Sequence, residues 1–164
     1  MSRFTGDAAS LILRLAAGLI FLPHGWSKVF GEGGPGVFAA DVATNYGIPT
    51  FLGYVASYAE VFGALLLIAG LLTRLDALLL AGTMFVAAFI VQLPDALYEV
   101  QPGASKLFVA LRGIELPLAQ LAICLALVLT GGGRFSLDHL LGVEERLFRR
   151  KKKAAAEAAA VASS

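Results

Sequence analysis

The sequence predicts an all-α fold: a four-helix transmembrane bundle followed by a short C-terminal amphipathic helix on the cytoplasmic surface. Three observations predict it. Hydrophobic residues make up 58% of the 164-residue chain and charged residues only 15%, against about 25% charged in an average soluble domain. Four apolar runs approach the ~20 residues that a helix needs to cross the hydrocarbon core. Lys and Arg cluster between those runs in an alternating way. With a mean hydropathy of +0.78, so small a chain has too little interior to hide its apolar surface from water. Lipid is the expected solvent, and the bilayer the first partner.

The first run spans 8–30 and ends at the breaker-rich GEGGPG of 31–36. Arg14 interrupts it, and no clear small-x-small cleavage site follows it before Trp26 and Lys28, so it reads as a retained helix rather than a cleaved signal. Residues 31–50 read as a loop. Pro49 introduces the second run, 51–72, and Pro94 ends the third, 75–93. The fourth, 107–130, stops at Gly131-Gly132-Gly133. Gly and Pro at these junctions are the expected punctuation. Ser136 then offers an N-cap with Asp138 in the first turn. Residues 135–150 mix apolar and basic side chains at helical spacing, as in a helix lying on an anionic membrane surface. Residues 151–164 form a basic, Ala-rich tail. The membrane domain is thus 1–134, with no internal repeat.

Orientation follows from the basic residues of the short loops. Arg3, Arg74, Arg134 and the run from Arg146 to Lys153 fall on one side of a four-span path. The intervening stretches carry Glu32 and Asp41, then Asp95 and Glu99 against a lone Lys106. Both termini are therefore expected in the cytoplasm.

Several function classes lack their residues. Cys124 is the single cysteine, which leaves no CxxC pair, no intrachain disulfide and no cysteine metal cluster. His24 and His139 are the only histidines and fall on opposite sides of the predicted bundle, so neither heme nor another metal centre is expected. GEGGPG lacks the Lys-Ser/Thr of a phosphate-binding loop, and nothing points to nucleic acid.

Ionisable groups inside spans are costly and mark candidate sites. Counting ~1.5 Å per residue from the cytoplasmic edge, Glu60 lies at ~18 Å, Glu115 at ~22 Å, His24 at ~24 Å and Arg112 at ~27 Å, with Lys28 and Gln92 near the same outer level. His24 and Lys28 are four apart; Ser57 and Glu60, like Arg112 and Glu115, are three apart. Such pairs share helix faces. An outward-opening polar pocket between the four helices is the expected arrangement. In it Glu60, Glu115 and His24 would carry protons, while His24, Arg112, Tyr58, Ser57 and Gln92 would bind substrate. Lys28 reads as snorkelling to the outer interface and Arg14 to the cytoplasmic one. The competing reading is that Glu60 or Glu115 pairs with Arg112 only to fix helix packing. Pro117 should loosen the fourth helix one turn earlier, near Gly113.

Residues LILRLAAGLIFLPHGWSKVFG, the GIP before span two, YAEVFGALLLIAGLLTR and the GGGRFSLD ending are similar to the DoxX family in order and spacing. The resemblance covers about residues 11–141. It implies a four-helix protein of the bacterial or archaeal cytoplasmic membrane, with Arg14, His24, Lys28, Glu60 and Glu115 as its embedded charged residues. It also implies association with a thiosulfate:quinone oxidoreductase or a thiol and oxidative-stress complex. A quinone is then the candidate cofactor. Candidate partners are soluble or membrane redox subunits and a second copy of the chain in a homodimer. Two other readings stand beside it: a small-solute transporter, and a structural anchor that recruits soluble partners through its basic C-terminal segment.

Overall fold

The structure is a computed structural model that describes residues 3–98, 100 and 103–143. Residues 144–150 of the expected surface helix, and the whole tail, lie outside the described residues. The described chain is helical: α1 (Arg3–Phe30), α2 (Gly34–Tyr46), α3 (Thr50–Ala69), α4 (Thr73–Val86), a π-helical stretch Ala87–Gln92, α5 (Leu93–Tyr98), α6 (Lys106–Thr130) and α7 (Leu137–Leu140). Four stretches are long and apolar enough to cross a membrane: Phe4–Phe30, Thr50–Ala69, Thr73–Tyr98 and Lys106–Thr130.

Small residues set how closely the helices pack. A methyl at Gly18 would lie 2.9 Å from the Ala64 carbonyl oxygen, and one at Gly25 only 2.6 Å from the Val61 nitrogen. These glycines are seven residues apart, two turns on one face, so α1 and α3 approach backbone to backbone over about two turns. The core between α1, α3, α4 and α6 is built from Ala17, Phe21, Ala64, Leu67, Ala77, Leu80, Cys124 and Leu127. Large apolar side chains point outward instead, including Phe62, Leu78 and Leu129. In lipid the drive for helix association is close packing rather than removal of apolar surface from water, and this inverted distribution follows from it.

Three elements depart from the sequence reading. Residues 31–50 are not a plain loop, because α2 occupies most of them. Gly33 and Gly34 adopt φ of 79° and 63°, reversing the chain, and Pro35 sits in the first helical turn, where its missing N–H has no partner to lose. The same glycines and proline that end α1 thus start α2, which lies against α3 where Gly53 meets Ala39.

The third span does not stop at Pro94. An unbroken α-helix would drive the proline ring into the carbonyl of Ile90 and lose a hydrogen bond. Here the helix widens instead: the Leu93 N–H bonds to the Ala88 carbonyl, five residues back. The span continues to Tyr98.

The described part of the C-terminal segment holds only a short helix, tied to the bundle on one side and exposed on the other. α7 is four residues long, and Gly142 breaks it with φ of 63°. The Asp138 carboxylate accepts the N–H groups of Leu72 at 2.7 Å and Thr73 at 2.8 Å, satisfying two of the free donors at the start of α4. Asp138 N–H donates to the Gly70 carbonyl at 2.9 Å. Ser136 does cap α7, accepting the His139 N–H at 3.2 Å. Arg14 reaches the same place from α1. It is fully buried, with one guanidinium nitrogen 2.8 Å from the Phe135 carbonyl and another 3.4 Å from that of Leu67. The expected snorkelling of Arg14 to water is therefore replaced by an internal clamp.

Candidate functional site: a buried ion pair beneath a small cavity

Near the middle of the bundle, Glu60 of α3 is 2% exposed. It lies nine residues before the end of its helix, ~14 Å by helical rise. Its Oε1 accepts a hydrogen bond from Lys28 Nζ at 2.6 Å. The close approach at Gly25 brings this about, because Lys28 follows Gly25 by three residues on the same face of α1. Lys28 thus turns inward to the acid rather than snorkelling outward, and its ammonium also stands 4.4 Å from the centre of the Phe38 ring on α2. A cation over a ring face gains from the ring quadrupole. Removing one member of such a buried pair is far costlier than keeping both.

Above the pair is a cavity of about 90 Å³ lined by Ile20, Phe21, His24, Lys28, Glu60, Met84, Ala87, Gln92, Leu116, Pro117 and Gln120. His24 is exposed at the rim. Gln92 is delivered by the π-helical stretch, a widened turn of the kind that recurs at functional sites. Glu60 Oε2 and Gln120 Oε1 are buried acceptors with no protein partner, while the Gln120 amide donates to the Ala17 carbonyl at 3.3 Å. Groups left open this way are ready to bind water or a ligand.

Of the residues expected at the site, the structure gathers Glu60, His24, Gln92 and Lys28 around one cavity and places the others elsewhere. Glu115 and Arg112 are exposed on α6, and neither has a salt-bridge partner among the described residues. The reason is rotational: α6 turns Ile114, Pro117, Gln120, Cys124 and Leu127 inward, and two residues separate Glu115 from Pro117 by ~200° of helix. Tyr58 is 42% exposed and stacks with Phe62 at 6.2 Å. Ser57 is buried, but its hydroxyl donates to the Gly53 carbonyl of its own helix at 2.9 Å.

The sequence reading missed two groups. Gln120 is one; Asp76 is the other, 4% exposed with Oδ2 unpartnered. A methyl at Gly63 would lie 2.8 Å from Asp76 Oδ1, so the Asp76 carboxyl sits against α3 one turn from Glu60. The available signal was helical spacing. Asp76 is in step with Leu80 and Met84, and Gln120 with Cys124 and Leu127, all of them buried.

A larger recess of about 600 Å³ opens at the end of the bundle where α6 stops and α7 lies, lined by residues including Asp7, Ser10, Arg134 and His139. Half-buried Asp7 and buried Ser10 already bond to backbone there: Asp7 Oδ1 accepts the Arg134 N–H at 3.1 Å and Ser10 donates to the Gly131 carbonyl at 2.6 Å. The smaller cavity keeps open valences, and it is the candidate site.

The fold and this cavity define a polytopic helical membrane protein with a carboxylate–ammonium pair held inside its bundle. The chain belongs to the DoxX family, whose sequence profile matches residues 9–93. Over 87 residues it is 36% identical to the putative oxidoreductase CatD of Bacillus subtilis, covering 53% of this chain and 62% of that protein. It is 28% identical to the inner membrane protein YqjF of Escherichia coli over 138 residues, 82% of this chain and 93% of that one. No solved structure matches it.

Proposed function

We propose that the chain is a membrane subunit of a quinone-linked oxidoreductase, acting in thiol, sulfur or oxidative-stress chemistry, with Glu60 and His24 handling protons at the cavity. The observation that carries this is the open-valence pair at the cavity floor: Glu60 is held by Lys28 through one oxygen and keeps the other free. The name of the relative CatD, a putative oxidoreductase, supports the redox class. The basic residues Arg3, Arg74 and Arg134 belong to one end of the bundle, which supports a cytoplasmic placement of that end by the positive-inside rule. The cavity would then open toward the outer half of the bilayer.

The residues fit the carbonyl edge of a quinone. A cavity of about 90 Å³ is smaller than the ~300 Å³ or more that engulfs a whole ligand, so the ring and tail would stay in lipid. A bound quinone would supply two-electron, two-proton chemistry. Lys28 and His24 offer N–H donors to a carbonyl oxygen, and Glu60 Oε2 and Gln120 Oε1 accept from a hydroxyl. Glu60, bonded to Lys28 through Oε1, would hold a proton at Oε2 and return it, the task of a general acid–base group within hydrogen-bond reach. Partners would be soluble or membrane redox subunits.

The test is quinone carried through purification in mild detergent, followed by titration with menadiol or decylubiquinol. Co-purifying quinone that is lost in Glu60→Gln is the expected result. Absence of quinone, with no spectral response on titration, overturns the reading. The small cavity favours a second reading, permeation of a solute of a few heavy atoms. Solute-dependent proton flux in liposomes that Glu60→Gln abolishes would select it instead.

A further inference from the structure

The face of α6 opposite the core carries a repeat that the bundle does not use. Phe108, Arg112, Glu115, Ala119 and Ala122 are exposed and Ala126 is half-buried. Their spacing, four-three-four-three-four, is the heptad pattern of a helix that packs along another helix. Alanine at three successive seam positions lets two backbones come close, as small residues do between membrane helices.

The charges say what covers this face. Arg112 and Glu115 lie six and nine residues into a 25-residue helix, or ~9 Å and ~14 Å from its start. At that depth a carboxylate facing hydrocarbon is expensive. They do not pair with each other, and Arg preceding Glu is the weaker order for a pair within one helix. Opposite charges one heptad step apart are self-complementary under a twofold axis along the bilayer normal. The two α6 helices then run parallel, and each Arg112 reaches down ~4.5 Å to Glu115 of the other copy.

We infer that two copies of this chain pair along α6, joined by reciprocal Arg112–Glu115 bridges near the outer end and by close alanine packing below them. The pairing does not depend on any cofactor.

Charge exchange tests it. Mass measurement in mild detergent should give a dimer for the native chain, a monomer for Arg112→Glu and for Glu115→Arg, and a dimer again for the double exchange. Both side chains are exposed, so thermal unfolding should stay close to native and separates dissociation from misfolding. A second measurement is made in native membranes. Ala122→Cys should form an intermolecular disulfide on oxidation, whereas Leu65→Cys on α3, also exposed at 49%, should not; the native Cys124 is fully buried. A native chain that is monomeric and uncrosslinked through Ala122→Cys overturns the inference. So do single exchanges that leave the dimer intact, or an Ala122→Cys crosslink to a different protein.

Discussion

The bundle holds two sets of buried polar groups that it treats in opposite ways. At the end where α4 begins, Arg14 and Asp138 bond to main-chain carbonyls and N–H groups on three other segments. Both side chains have partners for most of their valences, with Arg14 Nε the exception. Deeper in the bundle, Glu60 and Gln120 are equally buried, yet each keeps an acceptor oxygen without a partner. A clamp gains by saturating its hydrogen bonds, because every buried unsatisfied group costs stability. A site gains by leaving some open. The contrast puts saturated hydrogen bonds at one end of the molecule and open acceptors deeper in the bundle.

The sharpest way to break this contrast is at Arg14. Arg14→Met removes the cation that ties α1 to the loop after α6 and leaves the buried Asp138 without its electrostatic neighbour. A loss of about 3–5 kcal/mol is expected, as for other buried charges deprived of a partner. Unfolding in mixed micelles measures it. Arg14→Lys should restore little, since an ammonium cannot span two carbonyls with a planar fork. An unchanged unfolding midpoint in Arg14→Met would mean that the clamp is ornamental.

At the central pair the two effects should separate. Glu60→Gln keeps the shape and loses the charge, and Lys28, whose side chain is 24% exposed, can relax toward the open side. The expected loss of stability is about 1–3 kcal/mol, smaller than at Arg14, with ligand binding abolished. The double change Lys28→Met, Glu60→Leu should recover much of the native stability, because a well-packed apolar pair can replace a buried ionic one. It should not recover binding. A double variant that binds as well as the native chain would move the site elsewhere.

How legible these regions were in the sequence follows the same division. The four spans and their order could be read because hydropathy over ~20 residues is a strong signal. The clamp could not. Ser136 and Asp138 look like the start of an independent helix, and only tertiary contact shows Asp138 capping α4 instead. Arg14 near one end of a span reads as snorkelling, and its partners lie 53 and 121 residues away in sequence. At the centre, depth placed Glu60, His24, Gln92, Glu115 and Arg112 in one layer. Depth is not azimuth, however, and the inward ridge of α6 leaves Glu115 and Arg112 outside while bringing in Gln120. The extension past Pro94 was hidden because a proline breaks an α-helix but can be absorbed by one widened turn.

Gly63 gives a finer test of the central region. A methyl there would lie 2.8 Å from Asp76 Oδ1 and 3.0 Å from Leu80 Cδ1. Gly63→Ala should therefore push the Asp76 carboxyl aside and cost about 1–3 kcal/mol, the range for overpacking a tight contact. In an Asp76→Ala background most of that cost should vanish. Coupling of that sign in the double-mutant cycle would place the Asp76 carboxyl against α3, one turn from Glu60. Additive effects would place it elsewhere.

The smallest effect should appear at the opposite end of the bundle, where the bonded groups are exposed. The Tyr46 hydroxyl, at the end of α2, donates to Asp95 of α5 at 2.5 Å. That bond, aided by slight burial and by the charges of Asp95 and Asp41, pushes the Tyr46 phenol up to about 12 from its ordinary 10.0. The neutral phenol is the bonded form, so the stabilisation is complete below pH ~10, the unfolded value, and is lost as pH rises through the folded value near 12. Tyr46→Phe should cost no more than about 0.5–1 kcal/mol at pH 7, because the bond is exposed. Absorbance titration at alkaline pH should show a late-ionising phenol in the native chain that is missing from Tyr46→Phe. The stability gap between the two should hold constant to pH ~10 and shrink beyond it. A gap that widened with alkali would mean that Tyr46 is bonded as the phenolate, and that α2 is tied to α5 by something other than this hydroxyl.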